Sequence, residues 1–170
     1  MQKSLLMSLM AGLWLVLAAC GGGSQEQQSQ TAAPAPAKPE IPAVAELAIA
    51  GNDQMQYDKK KLEVYEGQTV KLTLTHSGTL AKEAMGHNWV LLAQGTDLAA
   101  FATSAMGAKD SDYIPADSDA QIIVHTDMLG GGESTSIEFP APAAGTYKYL
   151  CTFPGHYVMM QGDFVVKPRE

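Results

Sequence analysis

Residues 151–160 read Cys-Thr-Phe-Pro-Gly-His-Tyr-Val-Met-Met, which places a thiol at Cys151, an imidazole at His156 and thioethers at Met159 and Met160 within ten positions. Three readings fit such a stretch: a reactive thiol, an ordinary hairpin turn, or several metal donors on one loop. Thiolate and thioether are soft donors, and together with imidazole they favour copper over magnesium or calcium. Blue-copper sites combine two histidines and one cysteine with a weak axial methionine, so a second histidine is required. The chain also holds His76, His87 and His125. His87 opens an apolar, aromatic run, His-Asn-Trp-Val-Leu-Leu, and is the candidate.

A Cys/His pair also suits a thiol nucleophile. Nothing in the sequence supplies an orienting third group, and a thiolate whose equatorial partners are filled by a metal keeps no open position. The chain is therefore not expected to be an enzyme.

The elements that must carry these donors are short and of β type. Strands are expected over 44–50, 62–64, 70–75, 87–92, 121–125, 134–139, 147–151 and 163–167, separated by Gly, Asp, Asn, Ser and Pro at short spacing. Val70, Leu72 and Leu74 alternate with threonines and Lys71, the pattern of a strand buried on one face. Cys151 would end its strand, and Pro154-Gly155 would turn the chain so that His156 faces back toward the sulfur. One helix is expected over 96–106, capped by Thr96 or Asp97 and stopped by a left-handed Gly107. Trp89 is expected in the core, His125 on the surface of a strand, and Met55, Met85 and Met106 as gap fillers, not ligands. The fold class is all-β, a sandwich or barrel of about eight strands with one short inserted helix.

The N-terminal part has a different character. Residues 1–19 carry Lys3 and an apolar run from Leu5 to Leu17, too short for a spanning helix, and read as a secretory signal. Residues 20–43 are rich in Gly, Gln, Ala and Pro and read as a tether, flexible first and polyproline-like later. Residues 44–170 form the expected folded domain. Leu17-Ala18-Ala19-Cys20-Gly21 resembles the lipobox of bacterial lipoproteins, which implies lipidation at Cys20 and a membrane anchor. With Cys20 so used, Cys151 is the single remaining thiol and must be free or metal-bound. Removal of Lys3 leaves ten bases against 18 acids, a net charge of −8. That balance argues against a nucleic-acid partner, and attachment to an anionic lipid surface must come from the acyl chains.

"MGHNWVL" from Met85, "CTFPGH" from Cys151, "GNDQMQ" from Gly51 and "VHT" at Val124 are collinear. Together they resemble the azurin family of bacterial cupredoxins over roughly residues 45–167. The resemblance implies a Greek-key β-sandwich or barrel holding one type 1 copper ion. The implied equatorial ligands are His87, Cys151 and His156, with Met160 and the Gly86 carbonyl axial; Met159 fails the family's spacing. It implies that the amides of Asn88 and Phe153 donate to the thiolate, that Asn88 ties the two ligand loops together, and that His76 is a buried non-ligand beside the metal. His156 should break the surface inside an apolar patch of Leu80, Ala84, Met85, Phe153, Pro154, Val158 and Met159, with Met106 less securely aligned. A family disulfide falls on Ala45 and Gly67 and is therefore missing.

The implied function is one-electron transfer through Cu(I)/Cu(II) by a membrane-tethered relay in the bacterial envelope, the outer membrane preferred. Implied partners are redox proteins such as c-type cytochromes, nitrite reductase, cytochrome peroxidase or a terminal oxidase. The alternative is an envelope protein that stores or delivers copper.

Overall fold

The structure is a computed structural model, and it describes residues 40–169. Nine strands form two sheets: β1 (Val44–Asn52), β2 (Gln56–Tyr57), β3 (Lys61–Tyr65), β4 (Thr69–His76), β5 (Val90–Leu92), β6 (Ile122–His125), β7 (Ser134–Pro140), β8 (Gly145–Leu150) and β9 (Gln161–Lys167). One sheet has the order β2-β1-β4-β7 and the other β3-β9-β8-β5-β6. The chain crosses between the sheets from β2 to β3, β3 to β4, β4 to β5, β6 to β7 and β7 to β8, and so closes a Greek-key sandwich, as the resemblance implies. The β1–β4 and β3–β9 pairs are parallel and the others antiparallel.

The alternation in β4 is realised. Val70, Leu72 and Leu74 are fully buried, while the Thr73 and Thr75 hydroxyls pair with Ser136 and Ser134 on neighbouring β7. The core between the sheets centres on Trp89, whose ring meets Phe139, Tyr149 and Phe164 at 5.6–6.1 Å between centroids. Such tilted and edge-on aromatic contacts add to the area each ring buries. His125 is exposed on edge strand β6.

Several boundaries differ from expectation for identifiable reasons. β2 is only two residues long and α1 (Lys82–Met85) a single turn, so neither has room for a periodic signal. The expected 87–92 strand begins at Val90, because His87 pairs only with Leu129 through an isolated bridge. Cys151 lies just beyond β8. Helix α2 (Leu98–Ala105) is capped by Asp97, whose carboxylate accepts from the Ala100 amide at 2.9 Å. Gly107 is not left-handed; that conformation falls instead on Asp112 and Tyr113, at φ 51° and 63°.

Polar pins hold the end of the sandwich that carries Ala45 and Gly67, where the resemblance implies a missing disulfide. Gln68, 5% exposed, accepts from the Tyr65 amide at 2.6 Å and donates to the Pro42 carbonyl at 2.8 Å. Arg169 donates to the Ile41 carbonyl. The described chain thus begins at one pole, and β1 carries it about 26 Å at ordinary strand rise to Asn52 at the other.

Candidate metal centre

At that second pole β1 and β8 end while β5 and β9 begin, so their loops converge. His87, Cys151 and His156 are all buried, and one donor atom from each lies within 4.8 Å of the others. Among the described residues no other cluster of His, Cys, Asp and Glu reaches this density. The turn works as the sequence suggests: Gly155 adopts φ 81°, reached without steric cost by glycine, and a 3₁₀ turn follows from His156. It sets His156 Nδ1 3.7 Å from Cys151 Sγ.

His87 is oriented from a loop that the sequence reading left without a role. Its Nε2 lies 2.9 Å from the Asn52 carbonyl and Nδ1 2.9 Å from that of Gly86. A neutral imidazole has one N–H, and when Nε2 donates it to Asn52, Nδ1 keeps its lone pair for a metal. Asn52 in turn accepts the amides of Gln54 and Gln56 on its side chain. Gly51 must lack a side chain, because a Cβ there would stand 2.7 Å from His87 Cδ2 and 3.0 Å from Met160 Cε. These contacts explain the "GNDQMQ" motif; an Asn beside a Gly in a turn was the signal available.

The thiol environment is informative. Burial pushes Cys151 up to about 12, and the amides of Asn88 and Phe153 pull against it by pointing hydrogen bonds at the sulfur. Isolated, a thiolate here would be an uncompensated buried charge, so the site asks for a cation. Burial also lowers His87, and burial with the neighbouring His87 and His76 brings His156 down to about 4. Both imidazoles are neutral at pH 7 and present lone pairs. The Asn88 side chain donates to Thr152 Oγ1 at 2.7 Å and accepts the Thr152 amide at 2.9 Å, tying the two ligand loops as expected. Buried Tyr57, unremarked in the sequence, donates to the Asn88 carbonyl from the opposite side.

Met160 is fully buried against this cluster, whereas Met159 is 49% exposed and turned away. The Gly86 carbonyl lies 3.8 Å from Cys151 Sγ. Only glycine permits that approach, since a Cβ would fall 2.7 Å from the Lys82 carbonyl and 2.9 Å from Met128 Sδ. One thiol, two imidazoles and a thioether, with no carboxylate among them, match the soft donor set of copper. Burial and hydrogen bonds hold the donors in place, which suits a site that reorganises little between oxidation states.

Leu80, Ala84, Val158, Met159 and Met106 are exposed, while Met85, Phe153 and Pro154 are half-buried. His156 departs from expectation: it is only 3% exposed. The Phe153 ring packs on it at 4.5 Å between centroids and covers it, so the imidazole does not break the surface.

Residues 43–167 match the family model for copper binding proteins of the plastocyanin/azurin family. The chain is 43% identical over 124 residues to Azurin-1 of Alcaligenes xylosoxydans xylosoxydans, covering 71% of this chain and 95% of that one. It is 41% identical over 117 residues to outer membrane protein H.8 of Neisseria gonorrhoeae, covering 67% of this chain and 63% of that one. Among solved structures it is similar to auracyanin A, a "blue" copper protein of Chloroflexus aurantiacus, with a TM-score of 0.66 and 35% identity over 73% of this chain and 99% of that one.

Proposed function

The chain belongs to the plastocyanin/azurin family of copper-binding proteins, and on that premise we propose that it is an envelope-tethered one-electron relay between redox proteins. Its cofactor is copper, held by His87, Cys151, His156 and Met160. When bound, this ion supplies the Cu(I)/Cu(II) couple. The residues supply the rest: Asn52 and Asn88 fix the ligand loops, the Asn88 and Phe153 amides withdraw density from the sulfur, and burial excludes water. The Gly86 carbonyl, 3.8 Å from Cys151 Sγ, would be a further oxygen neighbour of the ion.

The observation that carries the reading is a closed, buried donor set, with exposed apolar residues close to His87 and His156 in the chain. A closed site suits electron transfer better than bond-making, and a small apolar face suits encounters that must release quickly. Release of the ion to an acceptor, as storage or delivery requires, would need this buried set to open. Charge adds a partner preference. Residues 77–133 hold eight acids and two bases, and Asp110, Asp112, Asp119 and Asp127 line one cleft. A redox partner with a positive face, such as a c-type cytochrome, is steered toward that flank.

Cys20 and the signal at residues 1–19 lie outside the described residues. The lipid anchor is supported by the sequence around Cys20, and the outer membrane by similarity to a protein named for that membrane. The decisive experiment is visible absorption and copper content of the purified chain, with Cys151→Ser as control. An intense thiolate-to-copper band that disappears in the variant is expected; a colourless, copper-free wild type overturns the reading.

A further inference from the structure

Between the acidic flank and the metal centre runs a short ladder of rings. Phe153 packs on His156 at 4.5 Å between centroids, and Tyr113 meets the other side of Phe153 edge-on at 5.3 Å and 65°. Tyr113 comes from a different part of the chain, the loop after α2, and that loop holds it at a conformational cost. Asp112 and Tyr113 are consecutive non-glycine residues at φ 51° and 63°. Aspartate tolerates that region, but a bulky tyrosine there is an outlier, and such residues persist only where their surroundings over-determine them.

The surroundings here do. The Tyr113 amide donates to the Ala108 carbonyl at 2.8 Å and the Asp112 amide to that of Lys109 at 3.2 Å. Ser111 Oγ donates to the Ile114 carbonyl at 2.6 Å. Lys82 reaches across from α1 to Asp112 at 3.0 Å, fastening the loop to the element that precedes Gly86 and His87. A left-handed turn at 112–113 is what swings the tyrosine ring back over Phe153. Phe153 has two duties at the site: its amide points at the thiolate, and its ring covers His156.

We propose that Tyr113 is a positioning residue of the redox centre, whose ring clamps Phe153 and thereby holds both the Phe153 amide on the sulfur and the cover over His156. This rests on the copper reading above. A hydrogen bond to the thiolate draws density from sulfur and weakens its donation to the oxidised metal, so it favours the reduced form. A loosened Phe153 therefore lowers the reduction potential and frees the ring.

The test compares Tyr113→Phe, which keeps the ring, with Tyr113→Gly, which accepts the same backbone conformation and removes it. In the copper-loaded chain, Y113G should shift the exchange equilibrium with a fixed redox mediator toward oxidation by up to tenfold, about 59 mV for one electron. It should also alter the thiolate-to-copper absorption, while Y113F matches wild type in both. In the metal-free chain, nuclear magnetic resonance should show faster flipping of the Phe153 ring in Y113G but not in Y113F. Unchanged potential and ring flipping in Y113G, or an equal shift in Y113F, overturns the proposal. A failure of the copper reading shows separately, as a wild type that binds no copper, and the metal-free measurement still decides whether the clamp exists. Should Y113G not fold, Tyr113→Leu is judged by the same criteria.

Discussion

The imidazole of His76 lies flat on that of His87, 4.1 Å between centroids and 17° from parallel. The Gly78 amide donates to His76 Nδ1 at 3.1 Å, so the ring proton sits on Nε2, which donates to the Met85 carbonyl at 2.7 Å. His76 is thus a fully buried strut that joins the end of β4 to the ligand loop. His76→Ala should remove the stacking face and leave the Met85 carbonyl unpaired, costing about 2–4 kcal/mol of stability. Thermal unfolding of the copper-loaded and metal-free forms measures it, with the larger loss expected where nothing else orders His87.

Gly51→Ala tests the placement of His87 without touching a donor atom. The new methyl would stand 2.7 Å from the ring and must displace it or the methyl of Met160. Copper affinity should fall by about 10–100-fold, the range for disturbed ligand supports, while the far-ultraviolet circular dichroism of the sandwich is retained. Titration against a chelator of known affinity gives the answer.

Acid should weaken the metal-free protein through its ligands. His156 is held down to about 4, and His87 is also lowered, so between pH 6.5 and about 4 the unfolded chain binds protons that the folded chain refuses. Folding stability therefore rises with pH through that window and is lost as pH falls, by about 2 kcal/mol. Denaturant unfolding of the metal-free chain at pH 4.5 and pH 7 checks the sign, and bound copper should flatten the slope by occupying the same lone pairs.

Gln68→Ala separates the two poles. It strips partners from the Tyr65 amide and the Pro42 carbonyl, and about 1–3 kcal/mol of stability should go with them. The visible spectrum should not change, because the pin lies at the far end of β1 from Asn52.

Docking is read out by kinetics. Val158→Asp puts an unpaired charge into the centre of the patch and should slow electron exchange with a positively charged cytochrome by about tenfold or more, through loss of apolar contact. For the wild type, raising ionic strength should slow the same reaction, since the acidic flank attracts over roughly a Debye length. Stopped-flow measurement at low and moderate salt distinguishes the two effects.

The donors were legible because soft-ligand chemistry leaves few combinations, and the Cys151–Met160 loop carries three of the four in one run of sequence. The β-strand pattern was legible wherever one face is buried, as in β4. What was not legible depends on contacts between remote segments. The Gly51-Asn52 pair marks a turn but not its grip on His87, and nothing local marks Tyr57 as the support of the Asn88 carbonyl, because each acts on a remote segment. Gly107 is where a left-handed helix stop costs least, yet that conformation falls at Asp112 and Tyr113, where tertiary contacts override the local preference. The depth of His156 follows from how Phe153 packs, which spacing alone does not determine.

The parallel pairing of β1 with β4 has a mechanical consequence. Eight residue pairs run from Val44–Thr69 to Gly51–His76. A pull on the chain ahead of Glu40 loads this ladder along its length, in shear, where its hydrogen bonds must yield together instead of one by one. The load is met first at Ile41 and Pro42, held by Arg169 and Gln68, and then along β1. A molecule tugged from its amino end would keep its redox pole slack.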